Sequence, residues 1–271
     1  MRAAIRAEYR KIFSTRLWWI LALSMAGYIA AMALLMVAAL HFGSDEMSHG
    51  LRLTSRQIAT LSFSIVLAIG YVFPALVGAM TVTQEFRHKT LTPTYLVQPH
   101  RGTVLSAKVI AALPMGLAFA VIGLVAAASG SLLLLILGEP TYLSEAATWQ
   151  LIGRSLIAMT LWAMVGVGFG ALITNQVVVI VVLLALSQLV EPLLRMLPSM
   201  TGRDIPLLDY LPSAAADSIM GDSFYGLMAD GSGFSGLGGL LPPWAGGLVL
   251  LAWGLVPAVI GHFTTLRHDV S

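Results

Sequence analysis

Cysteine is absent from the 271 residues, and lysine nearly so, with Lys11, Lys89 and Lys108 alone. The first absence excludes a disulfide framework, a thiolate nucleophile and cysteine-based metal sites. The second bears on nucleotide chemistry. None of the three lysines stands in a G-x-x-x-x-G-K-[ST] context, so this chain has no phosphate cradle of that kind. H-E-x-x-H and G-x-S-x-G are missing too. Charge is scarce: Asp, Glu, Lys and Arg make up 10% of the chain, against about 25% in soluble domains. A net charge of +2 is too small to point to nucleic acid.

What is present instead is apolar length. Hydrophobic residues make up 58% of the sequence, and the mean hydropathy is +0.86. Such a chain cannot cover a water-facing surface, and it reads as an all-α polytopic membrane protein forming one transmembrane domain. Apolar runs predict six spans, at 17–40, 58–82, 104–137, 151–173, 177–197 and 244–266. The third is too long for one simple crossing, and Pro114 predicts a kink or an interfacial lead-in there. The first is too long for the apolar core of a signal peptide.

Residues 1–16 precede the spans. Ile5, Tyr9, Ile12 and Phe13 share one helical face, and Arg2, Arg6 and Arg10, with Lys11 alongside, share another. This predicts an amphipathic helix lying in the headgroup layer. Six crossings put both termini on one side. With the termini inside, ten basic residues fall on inner segments and five on outer ones, so both termini are expected in the cytoplasm of a multi-pass plasma-membrane protein.

The segment 85–103 is a charged, proline-punctuated island between spans 2 and 3. It holds Glu85-x-Arg87-x-x-Thr90-Leu91, then Leu96-x-x-Pro99-x-Arg101, with Lys108 beyond. This order and spacing resemble the signature that follows the second span in ABC-2 type transporter permeases, the membrane-spanning subunits of ABC exporters. Lys89 stands where that family usually has Gly. The resemblance implies a cytosolic coupling helix that docks on a separate ABC ATPase subunit. Glu85 and Arg87 would make its charged contacts, Thr90 would cap or orient the helix before Leu91, Pro99 would end it, and Arg101 would hold the loop. It also implies a second permease copy or homologous permease, and re-entrant short helices in the region 198–243. No cofactor would belong to this chain, since ATP and Mg would be bound by the partner.

Polar residues inside the spans are few. Ser62 and Ser64 lie in span 2, and Ser187, Gln188 and Glu191 in span 5, with Arg195 one turn after Glu191. Two readings of Glu191 stand: an interfacial ion pair with Arg195 that ends the span, or part of a polar ring at the outer gate. The resemblance places spans 2 and 5 along the translocation path, where Ser62, Ser64, Gln188 and Glu191 would face one another. Gly166, Gly168 and Gly170 in span 4, and Gly123-x-x-x-Ala127-x-x-x-Ser131 in span 3, predict close helix packing within the chain. The expectation is therefore an exporter permease with a hydrophobic or amphipathic cargo. The alternative is a six-helix membrane anchor or sensor scaffold that transports nothing, contacting the lipid bilayer alone.

Overall fold

A computed structural model of the chain describes residues 1–42, 53–201, 203, 205–221 and 240–265. The protein is all-α, and six of its helical stretches are long and apolar enough to cross a membrane. Helix α1 (Arg2–Ser14) leads into α2 (Leu17–Phe42). The second crossing is broken in two, α3 (Ser55–Ala68) and α4 (Val72–Arg87). A short helix α5 (Leu91–Val97) precedes α6 (Arg101–Ile136) and α7 (Ala146–Leu172). The fifth crossing is composite: α8 (Gln176–Leu184), a π-helical turn at Ala185–Val190, and α9 (Glu191–Arg195). Then come α10 (Leu197–Thr201), a 3-10 turn at Pro206–Tyr210, α11 (Pro212–Met220) and the last crossing α12 (Pro243–Phe263).

Local chemistry sets the helix starts. Thr54 accepts from the Gln57 amide while Gln57 Oε1 accepts from the Thr54 amide, a reciprocal cap that opens α3. Asn175 Oδ1 accepts from the amides of Val177 and Val178 and opens α8, so the uncharged turn Thr174–Gln176 needs no further residues. Pro114 does not interrupt α6, which runs unbroken for 36 residues, about 54 Å at 1.5 Å per residue. A hydrocarbon core is about 30 Å thick, so α6 overshoots it by several turns.

Helix α7 is the hub. Its most apolar stretch is 78% buried, whereas that of the fifth crossing is 22% buried and that of α2 is 28% buried. The glycines make this possible. A methyl group on Gly166 would lie 1.9 Å from the Ala75 carbonyl oxygen, and one on Gly168 would lie 2.2 Å from that of Gly254. Backbones of α4 and α12 thus touch α7 on two sides. Gly123 likewise admits Val66, Ile29 and Met25 to α6, so both small-residue motifs pack inside the chain.

The ends alternate as six crossings require. Gly102 lies beside His262, and Thr265 donates to the Leu172 carbonyl, so the start of α6 and the ends of α7 and α12 share one end with α5. At the opposite end Ser55 donates to Glu139 at 2.7 Å, Arg56 pairs with Glu145, and Arg154 donates to the Met220 carbonyl at 3.1 Å. Helix α11 has nine residues, too short to cross, and every one is buried. It lies against α12, where Gly246 comes within a methyl's reach of the Ala215 carbonyl. Re-entrant structure between crossings five and six is therefore present over 206–220, while residues 222–239 of the expected region lie outside the described residues.

Candidate functional site

At the α5 end, Lys108 enters α6 as the one charge in the apolar run 104–137. It is 2% exposed, and an isolated buried ammonium is costly by several kcal/mol. Its Nζ therefore sits 2.8 Å from Glu8 Oε2 and 2.9 Å from Glu85 Oε1, and donates to the Thr81 carbonyl at 2.8 Å. Lys11 Nζ completes the group, 2.8 Å from Glu8 Oε1 and 2.5 Å from Glu85 Oε1. Two ammoniums and two carboxylates cancel, and they bind α1, α4 and α6 together. Burial pulls the Lys11 ammonium down, but hydrogen bonds and attraction from Glu8 and Glu85 outweigh it and hold its pKa above 10.5. Glu85 Oε2 is buried with no hydrogen-bond partner among the described residues.

This arrangement bears on two expectations. Lys11 keeps its place on the exposed side of α1, its side chain 42% exposed, yet its ammonium reaches both carboxylates. Glu85 is 5% exposed, so its carboxylate holds the helix ends together and is not presented to a partner. Charge explains the difference: Lys108 and Lys11 both lie within 3 Å of Glu85, and its exposure would leave the two ammoniums sharing Glu8 alone.

Beyond Glu85 the chain stops its helix with a left-handed residue. The Thr90 amide donates to Glu85 O at 3.0 Å and the Lys89 amide to Phe86 O at 3.2 Å, and Lys89 takes φ +55°. The end of α6 closes in the same way, with Gly138 at φ +81° and the Glu139 amide on Leu134 O. Lys89 thus stands in a glycine-type conformation without being glycine.

Helix α5 follows at once. Thr90 is at its N-cap position but its side chain makes no capping bond; Thr94 Oγ1 instead donates back to the Thr90 carbonyl. Leu91 anchors the helix, 2% exposed, while Leu96 stands 81% exposed. The helix ends at Val97, two residues before the exposed Pro99. The guanidinium of Arg101 lies 5.1 Å from the Tyr95 ring centroid. Arg87 is exposed and donates to Gln176 Oε1 at 3.1 Å, linking the second crossing to the fifth. Next to this platform is a cleft of about 270 Å³ lined in part by Lys11, Trp18, Met80, Gln84 and His88.

The four residues assigned to a translocation path are not one cluster. Ser62 and Ser64 donate to carbonyls of their own helix, and Ser62 faces Gly130 of α6. Gln188 instead reaches Tyr71, whose position explains both irregular crossings. Tyr71 ends the break between α3 and α4, stacks on Trp162 at 4.3 Å, and donates its hydroxyl to the Ser187 carbonyl at 3.0 Å. Gln188 Nε2 donates to the same hydroxyl at 3.1 Å. A π-turn loosens the regular i→i−4 ladder, which leaves a carbonyl such as Ser187's able to accept from a side chain.

Glu191 is fully buried and accepts from the Ser213 amide at 2.7 Å and from the Ser213 hydroxyl. A carboxylate from the fifth crossing thereby caps the N-terminus of α11. Arg195 donates to Asp217 Oδ2 at 2.7 Å, a second tie to the same short helix. Neither reading of Glu191 from the sequence had included α11. Glu8, Tyr71, Ser213 and Asp217 have no assigned role in the sequence, and Lys11 figures there only on the basic face of α1. The available signals were Glu8 as the lone acid before Asp45 and Lys108 as the lone charge of its run, each in need of a partner.

No protein-family model matches this chain, and no curated protein matches it.

Proposed function

We propose that this chain is the membrane-spanning subunit of an ATP-driven exporter of the ABC-2 type, working with a separate ATPase and a second permease copy or homologue. The observation that carries the reading is α5: a seven-residue helix at the junction of crossings two and three, seated by Leu91 and presenting Leu96 outward. Leu96 offers a docking partner an apolar contact on a short helix bordered by charged residues. The exposed Arg87, Lys89 and Thr90 precede it as polar rim, and the basic bias of this end supports a cytoplasmic side for it. The buried charge cluster supports the same reading, because it makes the platform beneath α5 stiff enough to pass force into α4 and α6.

Leu96→Asp tests this directly. Where a G-x-x-x-x-G-K-[ST] protein is encoded beside it, co-expression should give a complex with the parent chain, and the variant should insert normally yet lose the ATPase on purification. Retention of the ATPase and of cargo export by a folded Leu96→Asp protein would overturn the assignment. A parent chain that binds no ATPase at all favours the scaffold.

A further inference from the structure

At the end opposite α5, the first turns of α7 carry Arg154. It lies nine residues after the Glu145 cap, about 13.5 Å along the helix. It also lies five residues past Trp149, whose exposed indole donates to the Leu143 carbonyl. A cation at this depth in a crossing needs an anion or a water-filled space. Among the described residues no carboxylate pairs with Arg154; its Nη1 donates to the Met220 carbonyl and rests over Gly221. A methyl on Gly221 would lie 2.5 Å from that nitrogen, and Gly221 has φ +83°, so the guanidinium is held by a close approach that only glycine permits.

The rest of the guanidinium borders a cavity of about 280 Å³. Arg56 stands on its wall, paired with Glu145 outside the lining, so the cavity keeps a net positive charge. Tyr142 also lines it, and its backbone is held at φ +54°, a strained geometry for an aromatic residue. The Tyr142 carbonyl accepts from Thr148 Oγ1 at 2.8 Å, which helps to hold it there. Phe63 and Leu151, both buried, form the apolar part.

From these features we infer an oxyanion site, built for the phosphate of an amphiphile headgroup or for free phosphate. The remaining N–H groups of Arg154, with the Arg56 guanidinium shared with Glu145 and the Tyr142 phenol on the same wall, suit tetrahedral phosphate oxygens better than a cation or a neutral group. The volume sits just below that of drug-sized sites, enough for a headgroup and too small for acyl chains. The chains would remain in the bilayer beside α7. This inference stands apart from the exporter reading: it requires neither an ATPase nor transport.

The test is thermal unfolding of the full chain in phosphate-free dodecyl maltoside micelles, titrated with dihexanoyl-phosphatidylglycerol, with inorganic phosphate, and with dihexanoylglycerol as the uncharged control. The phosphatidylglycerol should raise the midpoint and the glycerol lipid should not. Arg154→Gln should weaken that binding by about tenfold or more, the loss expected for a charge-assisted hydrogen bond. A shift with inorganic phosphate that also depends on Arg154 marks a soluble anion as a source; a shift with the lipid form alone marks the membrane. If Arg154→Gln does not fold, Arg56→Gln, on an exposed side chain, decides by the same criterion. No shift with either phosphate probe, or equal affinity in the deciding variant, overturns the site.

Discussion

Lys89 sits where glycine would be unstrained. The left-handed region costs a side-chain-bearing residue about 1–2 kcal/mol, and glycine gives back about half of that through its freer unfolded chain. Lys89→Gly should therefore leave the protein equally stable or more stable, by up to about 1 kcal/mol in denaturant unfolding. Lys89→Val should destabilise it. The charge cluster behaves in the opposite way. Lys108→Met leaves two buried carboxylates sharing the one ammonium of Lys11 and should cost about 3–5 kcal/mol, whereas Lys108→Met with Glu85→Gln should recover part of that loss in a double-mutant cycle. Lys11 sets the pH response. Its pKa is raised on folding, so its contribution is complete below its ordinary value of 10.5 and is lost as pH climbs through the folded value. Thermal stability should hold through neutral pH and fall above about pH 10.5, and Lys11→Met should remove that alkaline step. At this scale the sequence announced the lone Lys108 and Glu8 but not their meeting. The partners lie 100 residues apart, and Lys11 lies 74 from Glu85, separations that no local pattern encodes.

Among the elements, α7 shows which local signals carry through to packing. Gly166 and Gly168 were legible as a contact seam because small residues have one dominant use inside apolar helices. Gly153 in the same helix has nothing within reach of an added methyl. Gly153→Ala should therefore stabilise by about 0.5–1 kcal/mol, the ordinary helical gain, while Gly166→Ala should destabilise by about 1–3 kcal/mol as α4 is pushed off. Unfolding midpoints of the two variants, moving in opposite directions, are the check. The break at Ile69–Tyr71 and the π-turn at Ala185–Val190 were not legible. Gly70 stands at the first and Ser187 and Gln188 at the second, but glycine and single polar residues recur in other crossings that run unbroken, and the tie between the two irregular stretches is the Tyr71 hydroxyl. The continuity of α6 through Pro114 is the reverse case, since a proline on an exposed face can remain within a helix whose neighbours hold its course.

For the whole molecule, the crossings were legible in number because hydrocarbon demands a long apolar run at each one. Their ranking was not. α7 at the hub and α12 share a hydropathy of 1.8 yet are 78% and 33% buried in their most apolar stretches, so neighbours and not hydropathy set the rank. The absence of cysteine makes the topology open to a clean assay, since any single cysteine reports without background. Leu96→Cys and Thr264→Cys should react with a membrane-impermeant maleimide from one side, and Leu143→Cys from the other. Labelling of Leu96 and Leu143 from the same face would break the six-crossing arrangement.

The overshoot of α6 has a mechanical side. A rod about 54 Å long magnifies rotation, so that a tilt of about ten degrees around its far tip sweeps its first turn through about 9 Å. Arg101 opens that rod and α5 hangs from it, while Lys108 rivets it to α1 and α4. Small reorientations deep in the bilayer thus become large strokes at the water's edge, and a modest pull at the edge returns as fine leverage within.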